Sequence, residues 1–151
     1  MNFLTNDYLQ IMKKSLANQI GHAASHYGLW TDVKIFSTSL DMGRQSGKSR
    51  ALGEWIPTAV GKVIMVSHTI DAGDQFKRKY NLDDEKILFS SPTNIHHKIR
   101  GRNWDTNAVT LIFDECDMRS SDMYDIAHTV CLGMQTNGCW GKFVHIVRVG
   151  Y

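Results

Sequence analysis

The sequence predicts an α/β fold, a mostly parallel sheet of about five strands sandwiched between two layers of helices. Three observations predict it. Short apolar runs recur at 33–36, 62–66, 86–89, 109–113 and 142–149. Stretches of helical periodicity lie between them. Strands alternating with helices are joined by crossovers, which makes them parallel and covers both faces of the sheet.

The elements follow in order. Leu4, Tyr8, Met12, Leu16 and Ile20 recur every fourth residue and predict an amphipathic helix over 3–20. Residues 21–32 read as a mixed connection, in which Tyr27 or Trp30 either stacks on a nucleotide base or packs at the core rim. Val33-Lys-Ile-Phe36 is β-prone. A helix should run from Ser49 to about Trp55 and stop there, because Pro57 biases Ile56 away from helical geometry. Lys62-Val-Ile-Met-Val66 reads as a buried strand. Asp71 is placed to cap a helix over 71–80, and Lys86-Ile-Leu-Phe89 is a third strand. Asn94 to Arg102 is a basic connection containing His96, His97, Lys98, Arg100 and Arg102; it reads as a solvated loop or as contacts to DNA phosphates. Val109-Thr-Leu-Ile-Phe113 is the most hydrophobic strand. Ser120 or Ser121 should then cap a helix to about Gln135, and Lys142 to Val149 closes the sheet.

Composition narrows the function classes. With 151 residues, 42% hydrophobic and 21% charged, the chain predicts one globular domain over 1–151. A net charge of +2 is too small to argue for nucleic-acid binding by bulk electrostatics. No apolar run approaches the roughly 18 residues of a membrane span, and the amino terminus lacks the layout of a signal peptide. Cys116, Cys131 and Cys139 are odd in number and show no C-x-x-C spacing, which predicts a reduced, cytoplasmic setting.

The chemistry concentrates in two stretches. Gly43-Arg-Gln-Ser-Gly-Lys-Ser49 reads as a phosphate-binding loop between a strand and a helix. Backbone N–H groups and a helix amino terminus suit a triphosphate. In that reading Gly43, Arg44, Gln45, Ser46 and Gly47 cradle the phosphates, Lys48 contacts the outer ones, and Ser49 ligates Mg²⁺. Met42 stands where the common pattern has its first glycine, so Gly43 is one residue late. The second stretch is Leu111-Ile-Phe-Asp-Glu115, whose acids close a strand, with Asp114 65 residues after Ser49. Asp114 suits the magnesium carboxylate, and Glu115 suits polarisation of an attacking water. Ligands of open α/β sheets bind outside the carboxyl ends of the strands, where both stretches should lie. Arg44 either stabilises charge near the γ-phosphate or fixes the loop by pairing with an acid such as Asp41.

The G-R-Q-S-G-K-S loop resembles the variant phosphate loop of large terminase subunits, the viral ATPases that pump DNA into capsids. The basic Ile99-Arg-Gly-Arg102 turn before the acidic strand is similar to the pattern in that family. Asp114-Glu-Cys-Asp117 equally resembles the D-E-x-D box of superfamily-two helicases. The resemblance covers roughly residues 33–149 as motifs in order. It implies a P-loop NTPase sandwich, ATP and Mg²⁺ as cofactors, and catalytic roles for Lys48, Glu115 and Arg44. It also implies DNA as a partner, an oligomer or partner subunit supplying an arginine, and the host cytoplasm if the chain is viral. Three family features are missing. The 151 residues contain no nuclease domain, no second helicase domain, and no Ser or Thr in Val147-Arg-Val-Gly150 to couple hydrolysis to movement. A non-catalytic nucleotide-binding or interaction module therefore stands as the alternative to an ATPase.

Overall fold

The computed structural model describes residues 3–27, 33–40, 52–59, 61–67, 70–83, 85–114, 118–135 and 141–149. Helix α1 spans Phe3–Tyr27 and strand β1 Lys34–Leu40. Helix α2 is described over 52–55 and tightens into a 3-10 turn at Ile56–Thr58. Strand β2 (Lys62–Val66), helix α3 (Ile70–Lys79), strand β3 (Ile87–Ser90) and helix α4 (Ile95–Ile99) follow. Strand β4 (Ala108–Asp114), helix α5 (Ser120–Met134) and strand β5 (Phe143–Val149) complete the described elements.

Among the described residues the strands form one five-stranded sheet in the order β1-β5-β4-β2-β3, and every pairing is parallel. The two outward connections, β1 to β2 and β2 to β3, place α2 and α3 on one face. The two returning connections, β3 to β4 and β4 to β5, place α4 and α5 on the other. That division is what right-handed crossovers require. Helix α1 joins the α2/α3 face, where Ala23 and Phe36 are buried together beside Leu16, Ile20 and Phe143. The expected α/β sandwich is the observed fold.

The α4/α5 face is an apolar core. Ile64, Val66, Val109, Leu111, Phe113, Val144 and Ile146 project from the sheet onto Ile95, Ile99, Met123, Ile126, Val130 and Met134. Alternate residues of the same strands, Val63, Met65, Ile112, Val147 and Val149, meet Leu52, Trp55 and Ile56 on the opposite face. Both faces of β4 are buried, so its sequence reads as a continuous apolar run. Strand β2 enters the sheet through Gly61, whose φ of +77° and close approach to the Ala108 carbonyl leave no room for a Cβ. The Lys86 ammonium fastens that turn by donating to the carbonyls of Ala59 and Gly61, and burial lowers its pKa.

Several boundaries differ from the sequence expectations. Helix α1 continues seven residues beyond Ile20 to Tyr27, because buried Ala23 carries its sheet-facing stripe forward against Phe36. Helix α3 begins at Ile70, one residue before Asp71. The N-cap of α5 is Arg119, not Ser120 or Ser121, and it makes no side-chain cap hydrogen bond. The basic connection contains α4, too short for a periodic signal, with Ile95 and Ile99 fully buried one turn apart. His96, His97, Arg100 and Arg102 are exposed there, while the Lys98 ammonium donates to the Phe89 carbonyl. No described helix is long and apolar enough to cross a membrane.

Candidate functional site

In a parallel sheet all strand carboxyl ends share one edge. Strand β1 ends at Leu40 and β4 at Asp114, and both are register partners of Val149 on β5. Leu40, Val149 and Asp114 therefore form one row across the sheet. Neighbouring strands lie about 4.8 Å apart, so the outer two backbone positions stand about 10 Å apart. Asp114 is half-buried and continues the parity of Thr110 and Ile112, the α2/α3 face. Leu52, at the start of the described part of α2, is buried in the same cluster as Val147, Val149 and Ile112. Both flanks of residues 41–51 are thus anchored around the carboxyl end of β5, across that strand from Asp114.

Gly43, Arg44, Gln45, Ser46, Gly47, Lys48, Ser49 and Glu115 lie outside the described residues, as do Trp30, Asp41, Cys116, Asp117 and Cys139. Cys131 is a buried free thiol. Among the described residues no group of three or more His, Cys, Asp or Glu side chains is placed to hold a metal ion. Magnesium does not need such a cage. It is commonly held by one or two carboxylates, with substrate phosphates and water completing its shell.

A second polar constellation was not anticipated from the sequence. His145 on β5 is fully buried, and its Nε2 is hydrogen-bonded to the Thr38 hydroxyl on β1 at 2.8 Å. Thr38 is hydrogen-bonded in turn to the Ser15 hydroxyl of α1 at 2.7 Å. The Gln19 amide lies beside them, donating to the Ser37 carbonyl at 2.8 Å and accepting from the Ser37 N–H at 2.9 Å. The other ring nitrogen of His145, Nδ1, is buried and has no hydrogen-bond partner among the described residues. Burial lowers the His145 pKa from 6.5 to about 4, so the ring is neutral near pH 7. The available signal was a threonine and a histidine at inward positions of apolar strands. Only the pairing of β1 with β5 brings them together.

Comparison with known proteins leaves the chain without an assigned family. No family model matches it, and no curated protein does. Two solved structures show a distant likeness. SulA from Pseudomonas aeruginosa aligns with a TM-score of 0.42 at 13% identity, covering 77% of this chain and 98% of SulA. The C-terminal part of the Fun30 ATPase domain aligns with a TM-score of 0.32 at 17% identity, covering 90% of this chain and 40% of that one. At such scores neither likeness bears on function.

Proposed function

We propose that the chain binds Mg·ATP at the carboxyl edge of its sheet and hydrolyses it. The observation that carries this reading is the row Leu40–Val149–Asp114, in which the strand feeding the Gly43–Ser49 sequence and the strand ending in Asp114 flank β5 at one level. A phosphate loop and a magnesium carboxylate must converge on one ion, and the ending of β1 and β4 at one edge supports that reading. In this reading Lys48 neutralises the outer phosphates, and Ser49 and Asp114 hold Mg²⁺. Glu115 orients the attacking water, and Arg44 stabilises the charge that develops on the transferred phosphoryl group. The ion supplies electrostatic stabilisation of the triphosphate when bound. DNA as the partner coupled to hydrolysis, and a terminase-like role, rest on the resemblance of the loop.

Phosphate release with Mg·ATP, with and without DNA, tests the proposal beside a direct measurement of ATP binding. Glu115→Gln should keep binding and lower turnover by about a hundredfold or more, the scale of losing a positioned general base. Lys48→Ala should lose binding as well. Wild-type protein that binds ATP and releases no phosphate under any condition would replace the ATPase with a nucleotide-binding module. Protein that does not bind ATP would refute both.

A further inference from the structure

The α2/α3 face holds a cavity of about 400 Å³ between α1, the end of α2 and the sheet. It lies in the amino-terminal half of the sheet, where Phe143 opens β5 and Ala59 precedes β2, away from the Asp114 edge. Leu16 and Ile20 of α1 face Trp55 and Phe143 across it, while Ala17 and Ala59 are too small to fill the space. Its size falls within the range of ligand pockets rather than packing defects. At about 30 Å³ for each liquid-packed heavy atom, it accommodates roughly a dozen.

Two polar features give the cavity a direction. At its base the Thr110 hydroxyl makes no hydrogen bond to a described residue. Thr110 is the register partner of His145 on the same face. Trp55, which lines the cavity, also meets the His145 ring edge-on at 6.2 Å. At the mouth, Lys13 is exposed and makes no ion pair with a described carboxylate. The site therefore has an apolar body and a cation at its opening.

We infer that this cavity binds an anionic amphiphile of about a dozen non-hydrogen atoms, such as a medium-chain carboxylate, with its apolar body between Leu16, Ile20, Trp55 and Phe143 and its carboxylate at Lys13. The inference does not depend on the nucleotide reading. The occupant rests between α1 and the segment joining α2 to β2. It would therefore be held by packing that the empty chain lacks, in a space lined by aromatic surface and closed at its base by the sheet.

Isothermal titration of the full chain with decanoate, and with decanol as the neutral comparator, tests it. Wild type should give a saturable one-to-one isotherm with decanoate. Ala17→Trp, on an exposed helix position that tolerates the change, should fill the space and weaken both ligands about tenfold or more. Lys13→Glu should weaken decanoate by roughly fivefold and leave decanol unchanged, as loss of one exposed ion pair predicts. Circular-dichroism melts of both variants establish that they remain folded. Absence of saturable decanoate binding, or Ala17→Trp binding as tightly as wild type, would overturn the site. An equal response of decanoate and decanol to Lys13→Glu would overturn the placement of the carboxylate.

Discussion

The two faces of the sheet are built from the same five strands by different rules. The α4/α5 face is closed mainly by apolar side chains, with Leu111, Phe113, Ile126, Val130 and Met134 fully buried and Ser90 the buried polar residue among its described strand positions. The α1–α3 face carries the buried Thr38, Thr110 and His145, a cavity, and the parity on which Asp114 emerges. One face supplies cohesion. The other leaves open space beside its buried polar groups, which is where a fold can accommodate binding and chemistry.

Three measurements would break or sharpen that contrast. The largest effect belongs to the cohesive face, where Phe113→Ala should cost about 4 kcal/mol in urea denaturation, because a fully buried ring leaves a cavity its neighbours cannot collapse into. The second concerns pH. The folded pKa of His145 is about 4, below its ordinary 6.5, so the unfolded chain takes up the proton first as pH falls. Stability from keeping this histidine neutral is complete above pH 6.5 and is lost as pH descends through that value towards 4. Over the whole window it should amount to about 3 kcal/mol. Measured as the difference between wild type and His145→Gln, so that shared carboxylates cancel, the loss should belong to wild type alone. An equal slope in the two chains would mean that the ring is hydrated and that the polar chain is open to water. The smallest effect is Leu16→Ala, which should cost about 1 kcal/mol, since this half-buried side chain already borders empty space. A cost matching that of Phe113→Ala would show the α1 face to be as tightly packed as its opposite, and the contrast would fail.

The contrast also marks what was legible in the sequence. Lys62–Val66 and Val109–Phe113 announced themselves because a strand buried on both faces must be apolar at every position. Asp114 was legible as the first polar residue after such a run. Its alignment with Leu40 across β5 was not, because the insertion of β5 between β1 and β4 is a property of strand order, which no local pattern encodes. Helix α4 was missed for a related reason. Five residues with His96, His97 and Lys98 in the middle have little intrinsic helicity, and the burial of Ile95 and Ile99 against α5 decides the matter. The expected starts of α3 at Asp71 and of α5 differ from the observed ones by a residue, which is the scale on which helix ends move to suit their packing. The chain Ser15–Thr38–His145 joins three elements distant in sequence, and its members looked like ordinary polar residues until the sheet assembled.

The clasp between Gln19 and Ser37 has a meaning beyond holding α1 in place. Strand β1 is an outer strand of the sheet, and an outer strand offers its backbone as a template for the next chain to join. By giving Ser37 both a donor and an acceptor, the Gln19 amide imitates one residue of a neighbouring strand. An incoming segment would find that rung already occupied, and a helix leaning across its path. The sheet is in this sense insulated at Ser37, on the strand that feeds the Gly43–Ser49 sequence.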